Sequence, residues 1–340
     1  VLIVCGPVGE DVHDREGHPE RPARIGAVLG GIDDLHLDDE VLWVPPPLAT
    51  AEDLARVHAP LYLDELAAFC GAGGGDLDPD TYATSESFDA ARRAAGAGLA
   101  AVEALDRAGE GVAFVVARPP GHHAVTDTSM GFCLLNNVAV AAAALADRGE
   151  RVLIVDWDVH HGNGTQAIFW DDRRVLYVST HQGRLFPGTG APEEVGGEGA
   201  PGLTVNVALP PGATGDVVRR SIDEVALPAV EAFDPTWVLV SAGFDAHRAD
   251  PMADLALSTG DFAHLATTVA EMAPRPGRLV LFLEGGYDLG ALRGSVTATL
   301  GALLGAGEPT ERPTSGGPGT EVVARAGLVR AAALARMTGD

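Results

Sequence analysis

Lysine is missing altogether: all 23 basic residues of this 340-residue chain are arginine, set against 48 Asp and Glu for a formal charge of −25. Such a surface disfavours partners held through their phosphates, so no direct nucleic-acid binding is expected, and its summed field favours cationic ligands. Cysteine is scarce as well. Cys5, Cys70 and Cys133 are far apart and odd in number, which argues against a disulfide framework and for a reducing, cytoplasmic setting. Cys133, beside Gly131-Phe132, reads as a buried, inert thiol flanking whatever that segment serves. There is no apolar run of about 18 residues to span a membrane. The opening Val1-Leu2-Ile3-Val4-Cys5 reads as a strand rather than a basic leader, and no repeat of fixed period occurs.

What is present is ample apolar material, 46% of residues, enough for a sizeable core. Short apolar, β-branched runs lie at 2–5, 41–44, 113–117, 152–157, 175–180, 204–209, 237–242 and 279–284. Between most of them come Ala/Leu-rich stretches of helical length, notably 86–107, 137–148, 216–232, 260–273 and 288–304. This alternation predicts an α/β fold: one domain over 1–305 with a mostly parallel eight-stranded sheet and helices on both faces. Residues 181–202, rich in Gly, Pro and Glu, read as a long loop at a cleft rim. Residues 306–320 read as a linker and 321–337 as a helix in a C-terminal tail, 321–340, of which no chemistry is expected.

Four of the apolar runs end in residues able to do chemistry. Val152 to Val155 leads into Asp156, Asp158 and His160 at alternate positions, so the two carboxylates and the imidazole can point the same way at a strand end. The run 113–117 leads to Arg118-Pro119-Pro120-Gly121-His122-His123, 237–242 to Gly243-Phe244-Asp245, and 279–283 to Glu284-Gly285-Gly286-Tyr287. Sites in open α/β sheets form outside the carboxyl ends of the strands, so the four ends describe one converging cleft. Asp158, His160 and Asp245 would give a metal three ligands and leave positions for water and substrate. Oxygen and nitrogen donors favour zinc, while iron(II), cobalt or manganese would also be accommodated. Asp156 suits the task of orienting an imidazole. His122 and His123 supply general base and acid near neutral pH, and Tyr287, after two glycines, a hydroxyl for an oxyanion.

Taken in order, His18-Pro19-Glu20-Arg21-Pro22, Arg118 to His123, Gly131-Phe132-Cys133-Leu134-Leu135-Asn136-Asn137, Asp156 to Gly164, Phe186-Pro187-Gly188-Thr189-Gly190, Ser241 to Asp245 and Glu284 to Tyr287 resemble the histone deacetylase and acetylpolyamine amidohydrolase family. The resemblance spans roughly 11–305 and implies the arginase-deacetylase fold. It implies zinc on Asp158, His160 and Asp245, His123 as general base and acid, and His122 as its electrostatic companion, with Asp156 holding His122 and Asn163 holding His123. Asn163, where one branch of the family has Asp, makes the chain similar to the class II type. Phe132 and Phe186 would wall a narrow acyl-lysine tunnel, with Gly131 and Gly285 contributing to it. Met252 would lie at its rim, where a polyamine-selective relative carries Glu. The resemblance further implies a structural potassium ion at Asp156, Asp158, His160, Ser179 and Thr180, a second near Phe169 and Val175, and an internal acetate channel lined by Arg21.

The expected activity is hydrolysis of an N-acetylated primary amine, acetyl-lysine in a peptide or protein or a related small acylamine, to acetate and free amine. Acetylpolyamine hydrolysis is the nearest alternative. Two others are a two-manganese ureohydrolase on the same fold, which His247 keeps in view, and a non-catalytic module binding acylated ligands. Oligomer formation is left open.

Overall fold

The computed structural model describes residues 1–9, 11–37 and 40–338, so the last two residues of the expected tail lie outside the described residues. Eight strands form the sheet: β1 (Leu2–Val8), β2 (Val41–Val44), β5 (Val112–Ala117), β6 (Val152–Asp156), β7 (Val175–Gln182), β8 (Thr204–Leu209), β9 (Trp237–Ala242) and β10 (Leu279–Leu283). A separate antiparallel hairpin joins β3 (Gly74–Asp76) to β4 (Tyr82–Thr84). Strand order in the large sheet is β2-β1-β5-β10-β9-β6-β7-β8, and every neighbouring pair is parallel. All eight predicted runs are therefore strands of one sheet.

Alternation along each strand feeds two cores. Leu153 and Val155 of β6, Val238 and Val240 of β9, and Leu281 and Leu283 of β10 point to one face. There they meet helices α1 (Ala23–Asp33), α9 (Thr259–Glu271) and α10 (Leu289–Leu304), with α7 (Gly215–Ser221), α8 (Leu227–Phe233) and α11 (Thr320–Thr338) toward β8. Ile154, Leu239, Val280 and Phe282 point the other way, against α3 (Pro60–Gly71), α4 (Ser87–Ala108) and α5 (Asn137–Asp147). Two short helices, α2 (Ala51–Leu54) and α6 (Asn163–Ile168), complete the set. Burial on both faces is why the strands read as unbroken apolar runs.

The stretch 216–232 is helical but not uniform, because a π-helical turn over Ile222–Ala226 separates α7 from α8 just ahead of Pro228. Proline has no N–H for the ladder, and a widened turn absorbs the lost bond. Residues 306–320 are tied to the body along their length. Glu311 accepts from His247 Nε2 (2.8 Å) and the Thr259 amide (3.0 Å) and pairs with Arg248, the Thr314 hydroxyl donates to Asp261 (2.7 Å), and the Gly317 amide donates to Thr214 (2.8 Å). Asp261 is also half of the capping box that starts α9 with Ser258, so one carboxylate both begins a helix and anchors the strap. No helix among the described residues is long and apolar enough to cross a membrane.

Candidate active site

Because the sheet is wholly parallel, the carboxyl ends of β5, β6, β9 and β10 share one edge, and their following turns meet there. The chain leaves β6 at Asp156 but stays alternating: Trp157 and Val159 are buried in the core, while Asp158 and His160 face the turns after β9 and β10. One ligand atom from each of Asp158, His160 and Asp245 falls within 4.8 Å of the others, and all three residues are buried. His160 Nδ1 lies 3.1 Å from both Asp158 Oδ1 and Asp245 Oδ2. The remaining carboxylate oxygens are held by backbone, Asp158 Oδ2 by the Gly285 amide (2.8 Å) and Asp245 Oδ1 by the Val159 amide (2.9 Å).

The charge balance of this cluster fits a cation. Burial and the neighbouring Asp158 charge push Asp245 up to about 7, and burial pushes Glu284 up to about 7 despite the His122 charge facing it. Buried carboxylates so close repel unless a positive charge lies among them. Burial opposes charge on His160, but Asp158 and Asp245 outweigh it and raise its pKa to about 10, so a bound cation would take the place of that proton. Two oxygens and a nitrogen with no thiolate suit zinc or another borderline divalent ion.

His122 and His123 follow β5 in a tight turn whose Gly121 and His122 amides donate to Glu284 Oε2 (2.7 and 3.2 Å). Glu284 thus fastens the end of β10 to the paired histidines, a task sequence reasoning did not assign to it. His122 Nδ1 sits 3.0 Å from Asp156 Oδ2, which also accepts from the Tyr177 hydroxyl (3.0 Å). His123 Nδ1 sits 2.8 Å from Asn163 Oδ1. The two rings, 4.0 Å apart, are driven in opposite directions. Burial opposes charge on His122, but Asp156 and Asp158 outweigh it and raise its pKa to about 10. Burial, then the charges of His122 and His160, hold His123 well below the usual imidazole range.

A cavity of about 100 Å³ opens onto this cluster, lined by Asp80, Pro120, His122, His123, Gly131, Phe132, His160, Phe186, Met252, Gly285 and Tyr287. Every residue expected to wall or rim the tunnel is among them. Phe186, 38% exposed, stands edge-on to His123, and Phe132 stands edge-on to Tyr287. Phe132 holds a left-handed backbone, φ 69°, and is braced from behind by His18, whose ring centroid lies 4.7 Å away. Asp80, in the loop that joins β3 to β4, was missed; a lone acid in a polar loop carries no spacing to mark it.

Of the residues expected at a potassium ion, Asp156 and Ser179 lie in register across β6 and β7. The Ser179 hydroxyl bonds His181 Nδ1 (2.9 Å). Phe169 and Val175 are both buried. The acetate-channel assignment of Arg21 needs correcting. Arg21 is exposed, and it is Arg24, three residues on and on the inward face of α1, that is buried behind the pocket with its guanidinium 5.0 Å from the Tyr287 ring. Arg21 precedes the first turn of α1, so no helix face carries it inward. Arg24 is matched by Glu20 (3.0 Å), which also pairs with Arg118. Burial opposes ionisation of Glu20, yet the two arginines bring its pKa down to about 2.

Known proteins resemble this chain in sequence and fold. The model of the histone deacetylase domain matches residues 18–303. The chain is 42% identical over 321 residues to a probable deacetylase of Methanothermobacter thermautotrophicus, covering 93% of this chain and 95% of that one. It is 40% identical over 277 residues to a histone deacetylase-like amidohydrolase of Pseudomonas aeruginosa, covering 80% and 73%. Among solved structures, the HDA15 HD domain superposes with a TM-score of 0.87 at 33% identity, covering 100% of this chain and 99% of that one. On these matches, over most of its length, the chain belongs to the histone deacetylase family of deacetylases and amidohydrolases.

Proposed function

We propose that this protein is a zinc-dependent amidohydrolase that removes the acetyl group from an acetylated primary amine, acetyl-lysine in a peptide or protein or a related small acylamine. The observation that carries this reading is that His123, His160 and Tyr287 line one small cavity. Phe132 and Phe186 stand on its walls and Met252 at its mouth, a lining suited to an alkyl stem that carries an acetyl amide to the buried groups.

Zinc on Asp158, His160 and Asp245 would polarise the acetyl carbonyl and acidify a water beside it. The chain's own groups do the rest. With Nδ1–H donating to Asn163, His123 keeps Nε2 bare, and that nitrogen takes the proton of the attacking water. His122, held as imidazolium by Asp156, keeps a proton from settling on His123 beforehand. The Tyr287 hydroxyl donates to the developing oxyanion. His123 then returns its proton to the departing amine, and acetate and free amine leave. Phe132 and Phe186 flank the alkyl stem, Gly131 and Gly285 let it pass close to backbone, and Met252 meets it at the mouth. A structural potassium ion would be held by Asp156, Ser179 and Thr180 with carbonyls of Asp158 and His160. A cytoplasmic setting suits the three unpaired thiols.

Met252 at the mouth, where a polyamine-selective relative has Glu, favours acetyl-lysine over acetylpolyamines. His247, the residue that kept a two-metal ureohydrolase in view, spends Nε2 on Glu311 and accepts the Ala249 amide at Nδ1 (3.1 Å). On an acetyl-lysine fluorogenic peptide, Tyr287→Phe should lose roughly 100- to 1000-fold in kcat and His123→Ala a comparable factor. Wild-type turnover in either variant would overturn the roles. One transition metal per chain by elemental analysis is expected, and two would favour the ureohydrolase.

A further inference from the structure

Tyr287 has to be aimed by something other than its own backbone. It follows Gly285-Gly286, with Gly286 at φ 120°, a pair that restricts the turn less than any other dipeptide would. The anchors come from elsewhere in the chain. Arg24 takes the carbonyl side of the turn, donating from Nε to Gly286 O (2.6 Å) and from its terminal nitrogen to Glu284 O. The amide side is taken by Asp250, a carboxylate only 6% exposed. Its Oδ2 accepts the amides of Tyr287 (2.6 Å) and Asp288 (3.2 Å), and its Oδ1 accepts the amide of Met252 (3.0 Å). Asp288 in turn caps α10 by accepting the Ala291 amide (2.8 Å). One buried carboxylate therefore joins the phenol's turn, the start of the next helix and the Met252 loop at the cavity mouth.

We propose that Asp250 is a positioning residue for the deacetylation reaction: by gripping the Tyr287 and Asp288 amides it sets the direction of the Tyr287 hydroxyl into the cavity. Three charge-assisted bonds to one buried acceptor make a stiff joint. The inference rests on Tyr287 serving as the oxyanion donor. Asparagine at 250 keeps the shape but has a single acceptor oxygen, so in either amide orientation an NH2 group faces one set of the backbone donors.

The test is a double-mutant cycle on an acetyl-lysine peptide with the zinc-loaded full chain, melting temperature and metal content being measured alongside. Asp250→Asn should lower kcat roughly 10- to 100-fold, a fraction of the whole donor effect, with KM changed by less than about threefold. Asp250→Asn combined with Tyr287→Phe should be no more than about threefold slower than Tyr287→Phe alone, because a group that acts through the hydroxyl has nothing left to act on. Asp250→Glu, which keeps both acceptor oxygens, should recover part of the loss, and it carries the same cycle if the asparagine variant does not fold. Losses that multiply in the double variant, a loss confined to KM, or wild-type turnover in Asp250→Asn would overturn the proposal. Wild-type turnover in Tyr287→Phe would instead overturn the reading of Tyr287 itself.

Discussion

His123 and Asn163 show how a single atom choice sets a working range. A neutral amide oxygen on Nδ1 orients the ring without adding charge, whereas a carboxylate there would favour the imidazolium by about 1–3 pKa units. In Asn163→Asp the acid limb of the kcat/KM profile should therefore move to higher pH, since His123 must be deprotonated to act as base. An unmoved or lowered limb would contradict the role given to Nδ1. The Asn163 amide group also donates to Met130 Sδ (3.3 Å), so some loss of activity should accompany the shift. Residues of this kind were legible because short motifs and strand ends mark them. Arg24 and Asp250 were not, since each acts through contacts 262 and 37 positions away in sequence, which no local pattern records.

The turns that follow β6, β9 and β10 have little tolerance for added atoms. A Cβ on Gly285 would run into the Asp245 and Asp158 carboxylates, the pair expected to grip the ion. Gly285→Ala should consequently reduce zinc occupancy at equal protein concentration, by elemental analysis, while the far-UV circular dichroism stays that of the native fold. Full zinc content in that variant would argue against the cluster as the metal site. The strap at 306–320 makes a separate point. Its Gly/Pro-rich composition reads as a spacer, yet Glu311 and Thr314 convert it into a brace across His247, Thr259 and Asp261. Glu311→Ala leaves the partly buried His247 N–H without its acceptor and should cost about 1–3 kcal/mol of stability, readable in guanidinium unfolding. The hairpin of β3 and β4 was invisible for a related reason, because β3 is Gly74-Gly75-Asp76 with no apolar content and β4, Tyr82 to Thr84, is too short to show alternation.

Across the molecule, buried imidazoles away from the metal cluster should add an acid-side loss of stability. Burial is the leading cause that lowers His13, His58 and His161 to about 4. Their unfolded forms titrate near 6.5, so the stability they confer is complete above that pH and drains away as pH falls through about 4. Glu20, depressed to about 2, adds a second loss that begins below its unfolded value near 4.5. The guanidinium midpoint should therefore drop less between pH 6.5 and 4 in His58→Gln, which no longer carries one of these imidazoles, than in the wild-type chain, and equal drops would refute the account. The eight-stranded architecture was legible as a whole because buried parallel strands announce themselves as apolar runs. Their spatial order was not, since β10 lies between β5 and β9 through contacts that only the folded chain creates.

With all eight strands running one way, the protein has a reactive pole and an inert one. Val1 sits at the inert pole, its carbonyl accepting the Val112 amide at the foot of β5, about 15–20 Å of strand length from the cavity. A chain tethered to a bead through a residue of this inert pole should therefore turn its entrance outward and hydrolyse substrate on the surface as readily as it does free in solution.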